Sequence, residues 1–245
     1  WARDDIDRFV LAKLEEAKLG PATEAAKQVW LRRVTFDLTG LPPTREEIES
    51  FMADNSPEAY EKVVDRLLAS PAFGEAWGQH WLDLVRYAET KGHEGDYSLP
   101  YAWRYRDYVI RAFNANVPYD KFLREHIAGD LVENPRFHPE TGSNESILGT
   151  TFWHLGEATH APVDIRGEES DRIDNQIDVF GKAMQGMTIA CARCHDHKFD
   201  AIATADFYAL CGILQSSNFQ IVDVSDPHRR AEIAKELEKL NADSA

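Results

Sequence analysis

Residues 191–195 read Cys-Ala-Arg-Cys-His, and no other stretch constrains the chain as strongly. Two thiols separated by two residues match the spacing at which both vinyl groups of one haem are captured as thioethers. The histidine that follows then reaches the iron from the proximal side. The string points to covalent haem c, with Cys191 and Cys194 as attachment points and His195 as the proximal iron ligand. Zinc is the main competitor, because Cys191, Cys194, His195 and His197 offer thiolate and imidazole. Such zinc sites usually draw a second ligand pair from a second knuckle, and the remaining cysteine, Cys211, stands alone. A dithiol redox pair is a third reading, but it expects a thioredoxin-like βαβ context that the neighbouring sequence lacks.

A sixth iron ligand has to come from elsewhere in the chain. Nitrogen and sulfur donors are limited to histidines and to Met52, Met184 and Met187. Met184 and Met187 fall on the apolar stripe of the helix that leads into the motif and are read as packing. His160 is the first distal candidate, lying in a loop stiffened by Pro162. His80 is the alternative, read on an apolar helix face with Trp77, Trp81, Leu84 and Ala88. An open or water-ligated iron is the third outcome. His197 is too close to His195 to cross the ring, and is read as orienting the loop by hydrogen bonding.

The helix signals come in order along the chain. Ile6, Phe9, Val10 and Leu14 recur at helical spacing, and Gly20-Pro21 ends that segment. Val29, Trp30 and Val34 mark a second helix, broken at Gly40-Leu41-Pro42-Pro43. Thr44 with Glu47 predicts a capping box, and Ser56-Pro57 and Ser70-Pro71 predict helix starts. Further helices carry Tyr60, Val63, Val64, Leu67 and Leu68, then Val109, Ile110 and Phe113, then Phe122, Leu123 and Ile127. Arg104 and Arg106, beside Trp103 and Tyr105, suit carboxylates such as haem propionates. Residues 131–145 read as a surface loop, and Ile147 to Leu155 as helix or buried strand. Glu157, Asp164, Glu168, Glu169, Asp171, Asp174 and Asp178 make an acidic span that favours the positive N-terminus of the next helix. That helix carries Ile173 and Ile177 toward Cys191, and Phe207, Leu210 and Leu214 mark one more.

The blocks around the motif are familiar as well. CARCHDHKFDAI, preceded by GMTIA and followed by ADFYAL, resembles the signature of planctomycete cytochrome-type domains, modules of large envelope proteins often found beside a separate small cytochrome c module. IDRFVLAKLEEAKL, RRVTFDLTGLPPTREEIESF, YEKVVDRLLASPAFGEAWGQHWLDLVRYAET and WRYRDYVIRAFNANVPYDKF resemble that family's blocks too, so the likeness covers nearly the whole chain. It implies a haem-binding, envelope-located domain. The strings around His160 and His80 are also among its family-like blocks.

The expected fold is mainly α: one multi-helix, bundle-like domain over residues 1–245 with long loops, its haem-bearing segment at 170–217. A formal net charge of −15 argues against nucleic acid and anionic membrane and favours a basic docking partner. No apolar run is long enough to span a bilayer, and the first residues do not read as a signal peptide. Thioether attachment in bacteria takes place outside the cytoplasmic membrane. The chain is therefore expected to be part of a longer exported protein, in the periplasm or another extracytoplasmic envelope compartment. No phosphate-binding glycine pattern or nucleophile elbow is present. The expected function is a mono-haem c-type cytochrome domain in electron transfer or haem redox chemistry, with a redox protein or a neighbouring cytochrome module as partner. The alternative is a zinc- or haem-dependent enzyme acting on a small or polysaccharide-derived molecule.

Overall fold

Helices account for the regular structure throughout the computed structural model, which describes residues 2–93, 95–159 and 161–243. They are α1 (Asp5–Glu16), α2 (Lys27–Thr39), α3 (Arg45–Ala53), α4 (Ala59–Leu68), α5 (Pro71–Leu84), α6 (Ala102–Asn114), α7 (Tyr119–Ala128), α8 (Ser146–Gly149), α9 (Ile165–Phe180), α10 (Thr204–Gln215) and α11 (Pro227–Asp243). Among the described residues, β pairing is confined to the isolated bridges Thr90–Ser98 and Phe137–Asn144. The mainly α expectation holds. The segment left open between helix and strand is helical: α8 runs directly into a 3-10 turn, Thr150–His154. The sequence reading takes the chain as one domain; its contacts cluster into two compact units that divide at Leu67/Leu68.

In the first unit the Thr44/Glu47 capping box forms as read, while α4 begins at Ala59, past Ser56-Pro57. The Glu47 amide donates to Thr44 Oγ1 at 3.2 Å and the Thr44 amide to Glu47 Oε2 at 2.7 Å, satisfying two amides at the start of α3. Leu31, Phe51, Ala59, Val63 and Leu67 form the core. Around it Trp30, Phe51 and Tyr60 make an aromatic triad with centroids 4.6–5.5 Å apart. The predicted stripe of α1 is helical but uncovered, with Ile6 and Phe9 about three-quarters exposed.

In the second unit Ser70 caps α5 and Pro71 opens it, as Ser-Pro predicts. The buried face of α5 is rotated from the predicted stripe, which keeps only Trp81 in the core. Gly74, Gly78 and Trp81 are its buried positions, while Trp77, His80 and Leu84 face outward. The physical reason is close approach: a Cβ on Gly74 would sit 2.5 Å from the Ile110 carbonyl oxygen, so the two glycines let α5 pack directly on α6. Asn114 locks the crossing, accepting from the Gly74 amide at 2.9 Å and donating to the Pro71 carbonyl at 3.2 Å. His80 is thus an exposed residue set edge-on to Trp77 at 5.8 Å, not a member of an apolar core stripe.

The main core gathers Trp81, Val85, Tyr105, Tyr108, Val109, Phe122 and Phe152. Each such side chain contributes roughly 1.5–3 kcal/mol by leaving water. Polar groups run through this core. Tyr105 donates to His126 Nε2 at 2.8 Å while receiving the Trp81 indole N–H at 3.1 Å, and His126 Nδ1–H donates to the Phe122 carbonyl at 2.8 Å. Glu125 accepts from Arg136 at 2.9 and 3.0 Å, from Tyr108 at 2.8 Å and from Ser146 at 2.9 Å. Arg111 grips Glu145 in the same two-pronged way, its closest contact 2.8 Å. Arg136 and Glu145 belong to the stretch read as a surface loop. Glu145 is 1% exposed, so part of that loop is core.

Candidate functional site

The approach to Cys191 is built by a change of helix type. After Phe180 the backbone widens into a π turn, Gly181–Gln185, and Gly186 at φ +65° ends it. The Met187 amide closes back on the Gly181 carbonyl at 3.0 Å. A 3-10 turn, Ile189–Arg193, then carries the first cysteine, with Cys194 as its C-cap. Both cysteines are exposed free thiols. Between them Ala192 is fully buried beside Ile173, Ile177, Ile189 and Phe207. Arg193 points outward to Asp174 at 2.9 Å, tying the turn to α9. Replacing Ala192 by Leu is expected to cost about 1–3 kcal/mol through overpacking, read as a lower urea midpoint at unchanged m.

Past the cysteines the loop is organised by His197, whose side chain is 6% exposed. Its Nδ1 faces the amides of Asp200 at 2.9 Å and Phe199 at 3.3 Å, so it accepts, and Nε2–H donates to Thr188 Oγ1 at 2.9 Å. The Asp200 carboxylate lies 3.3 Å from the same nitrogen. The reading of His197 as a loop-orienting residue matches these bonds. Replacing it by Ala is expected to raise amide exchange at Asp200 about tenfold or more while leaving the slowest core amides unchanged.

His195 is exposed, and its Nδ1–H donates to the Asp196 carbonyl at 2.8 Å. That bond fixes the tautomer with the lone pair on Nε2, the form in which imidazole ligates a metal. Asp196 accepts the Thr204 amide at 2.8 Å, which holds its carboxyl below the usual range and starts α10. Tyr208 on α10 donates to the Arg193 carbonyl at 3.1 Å. The segment is pinned at both ends, with its two thiols and one imidazole facing out.

The other candidates are placed as follows. His160 lies outside the described residues. Met184 is a core residue, and Met187 packs partly buried on the cluster beneath the motif. Arg106 pairs with Glu89 and Asp107, and Arg104 lies over the rings of Tyr101 and Trp103. Within the acidic span Asp164 caps α9 by accepting the Gly167 amide at 2.9 Å. Glu168 binds the Thr159 amide and hydroxyl. Among the described residues no three His, Cys, Asp or Glu side chains converge as a ligand set. The residues that sequence reasoning missed are Glu125 and His126. His126 stands four positions after Phe122, on the face the apolar spacing assigns to the core, and that spacing was the available signal.

A family model described as PSCyt2, protein of unknown function (DUF1549), matches residues 5–219. The chain belongs to this family. Family membership agrees with the planctomycete-type likeness of the sequence blocks and covers every residue of the motif and the polar core. No curated protein and no solved structure matches the chain. No described helix is long and apolar enough to cross a membrane.

Proposed function

We propose that this chain is a mono-haem c-type cytochrome domain acting in electron transfer or haem redox chemistry in the cell envelope. The observation that carries the reading is the 3-10 turn that leaves Cys191 and, at its C-cap, Cys194 free and exposed immediately before His195. The donor set fits the group: two thiols for thioether bonds, and an imidazole whose Nδ1–H is held by the Asp196 carbonyl so that Nε2 is the donor. Haem bound there would supply one-electron chemistry, its potential set by the ligand and by how far the ring is shielded from water. His197 keeps the loop shape and Ala192 anchors the turn. The zinc reading is weaker, since both nitrogens of His197 are engaged with Thr188 and the loop amides.

The test is the chain produced with native maturation in an extracytoplasmic compartment. The expected product is red and keeps its haem through denaturation and acid–acetone extraction. Cys191→Ala with Cys194→Ala is expected to release all of it. A colourless parent, or haem that stays covalently bound in the double variant, overturns the assignment. His195→Ala is expected to abolish the low-spin spectrum and His197→Ala to change it modestly. His80→Ala, read for the same low-spin to high-spin change, tests whether that exposed residue serves as distal ligand.

A further inference from the structure

The second unit also holds a groove of about 890 Å³, within the ~300–1,000 Å³ typical of small-molecule sites. It runs between α9, α10, the 3-10 turn Thr150–His154 and the irregular stretch 217–224, and its walls are largely apolar: Trp153, Ile177, Phe180, Ile213 and Phe219 among others. Cys191, Cys194 and His195 do not line it, so it is separate from the motif.

Basic side chains collect at one place in this wall. Arg172 and His154 line the groove, and both lie against Phe219: the guanidinium 5.5 Å from its ring centre, the imidazole 4.9 Å. Behind them Lys91 is 8% exposed, its ammonium donating to the His154 carbonyl. Burial holds Lys91 below its usual range, and Arg86 and Arg172 push it further. His154 is lowered by burial, then by Lys91 and Arg172. None of Arg86, Lys91, His154 and Arg172 has a carboxylate within ion-pair distance among the described residues. Arg172 is bound to the Gln176 amide oxygen at 3.2 Å and Arg86 to that of Asn175 at 2.6 Å. Two carboxylates reach these groups through their fields without touching them: Glu168, hydrogen-bonded to Thr159, acts on Arg172, and Asp178, paired with Lys182 at 2.7 Å, acts on Arg86. Asp130 and Asp223 also line the groove, and Asp223 is taken up by Ser225 and Arg230.

The chain has 42 acidic against 27 basic side chains, so a counter-charge for these cations is in ample supply. Clustering like charges beside an apolar wall is costly unless an anion joins them. We propose that the groove binds an amphipathic carboxylate of fatty-acid size, its apolar body along Ile213, Phe219 and Phe180 and its carboxylate on Arg172. A guanidinium offers two parallel N–H donors to such a head group, and the field of the Lys91 ammonium behind it adds to the attraction.

The experiment is calorimetric titration of the whole chain with dodecanoate and with 1-dodecanol, both below the concentration at which they self-associate. One dodecanoate per chain is expected, bound at least tenfold more tightly than the alcohol. Arg172→Gln is expected to lose about tenfold or more in dodecanoate affinity and nothing for the alcohol; Ile213→Trp, at an exposed position, is expected to weaken both. Absence of saturable dodecanoate binding, equal affinity for acid and alcohol, or an Arg172→Gln chain that binds dodecanoate as the parent does would each overturn the proposal. If Arg172→Gln does not fold, the comparison of acid and alcohol on the parent decides alone. Cys191→Ala with Cys194→Ala is expected to leave dodecanoate binding unchanged, which separates this site from the haem reading.

Discussion

Arg136→Met is expected to destabilise the second unit by about 3–5 kcal/mol, the cost of leaving a buried carboxylate without its partner. Glu125 is fully buried. Burial alone drives its carboxyl up, but the hydrogen bonds of Arg136, Tyr108 and Ser146 outweigh that and hold it below the usual glutamate value. Removing Arg136 takes away two of those bonds and the only counter-charge in direct contact with Glu125 among the described residues. It also withdraws the guanidinium from the Tyr108 ring, whose centre lies 5.6 Å away. For a unit of this size the loss corresponds to a fall in Tm on the order of 10 °C, read by thermal melting at pH 7. Arg136→Met combined with Glu125→Gln is expected to recover part of the loss, because no ionised group is then stranded. A single variant that melts within a few degrees of the parent would show that the pair is not the clasp between α7 and the 131–145 loop.

The second large effect is a dependence of stability on pH carried by His126. The ring is fully buried, flanked by Phe122 at 4.3 Å and Trp81 at 5.1 Å. Burial pushes its pKa down from 6.5 to about 4. Its two nitrogens are committed to the neutral form, one donating to the Phe122 carbonyl and the other accepting from Tyr105. The unfolded chain binds a proton at this residue below pH 6.5 and the folded chain does not. Its contribution to stability is therefore complete above pH 6.5, falls as the pH drops toward 4, and is lost below that. The difference amounts to about 3 kcal/mol. Denaturant titrations at pH 7 and pH 4 on the parent and on His126→Gln check it: the parent is expected to lose about 3 kcal/mol more than the variant over that interval. Parallel curves would mean that the ring is charged, or accessible, in the folded chain.

What the residues alone determined are features whose causes lie within a turn or two of chain. Thr44 and Glu47 cap α3 because the amides they bind are three residues away. Ser70-Pro71 starts α5 for the same kind of local reason. The haem reading of the Cys191–His195 string rests on spacing alone, and His197 could be read as a loop-holder because its partners, Thr188, Phe199 and Asp200, are close in sequence. Which face of a helix is buried was decided elsewhere. Aromatic spacing on α5 favoured Trp77, His80 and Trp81, whereas the absence of a Cβ at Gly74 and Gly78 let α6 approach on the adjacent face, which kept Trp81 in the core and left Trp77 and His80 in solvent. Only the tertiary structure puts Arg136 and Glu145 of a polar loop inside the core, because their partners Glu125 and Arg111 lie 11 and 34 residues away and no local pattern encodes such pairings. The groove and its cations are of the same kind. Lys91, His154 and Arg172 stand far apart in sequence, and they meet only because the fold brings three distant segments against one apolar wall.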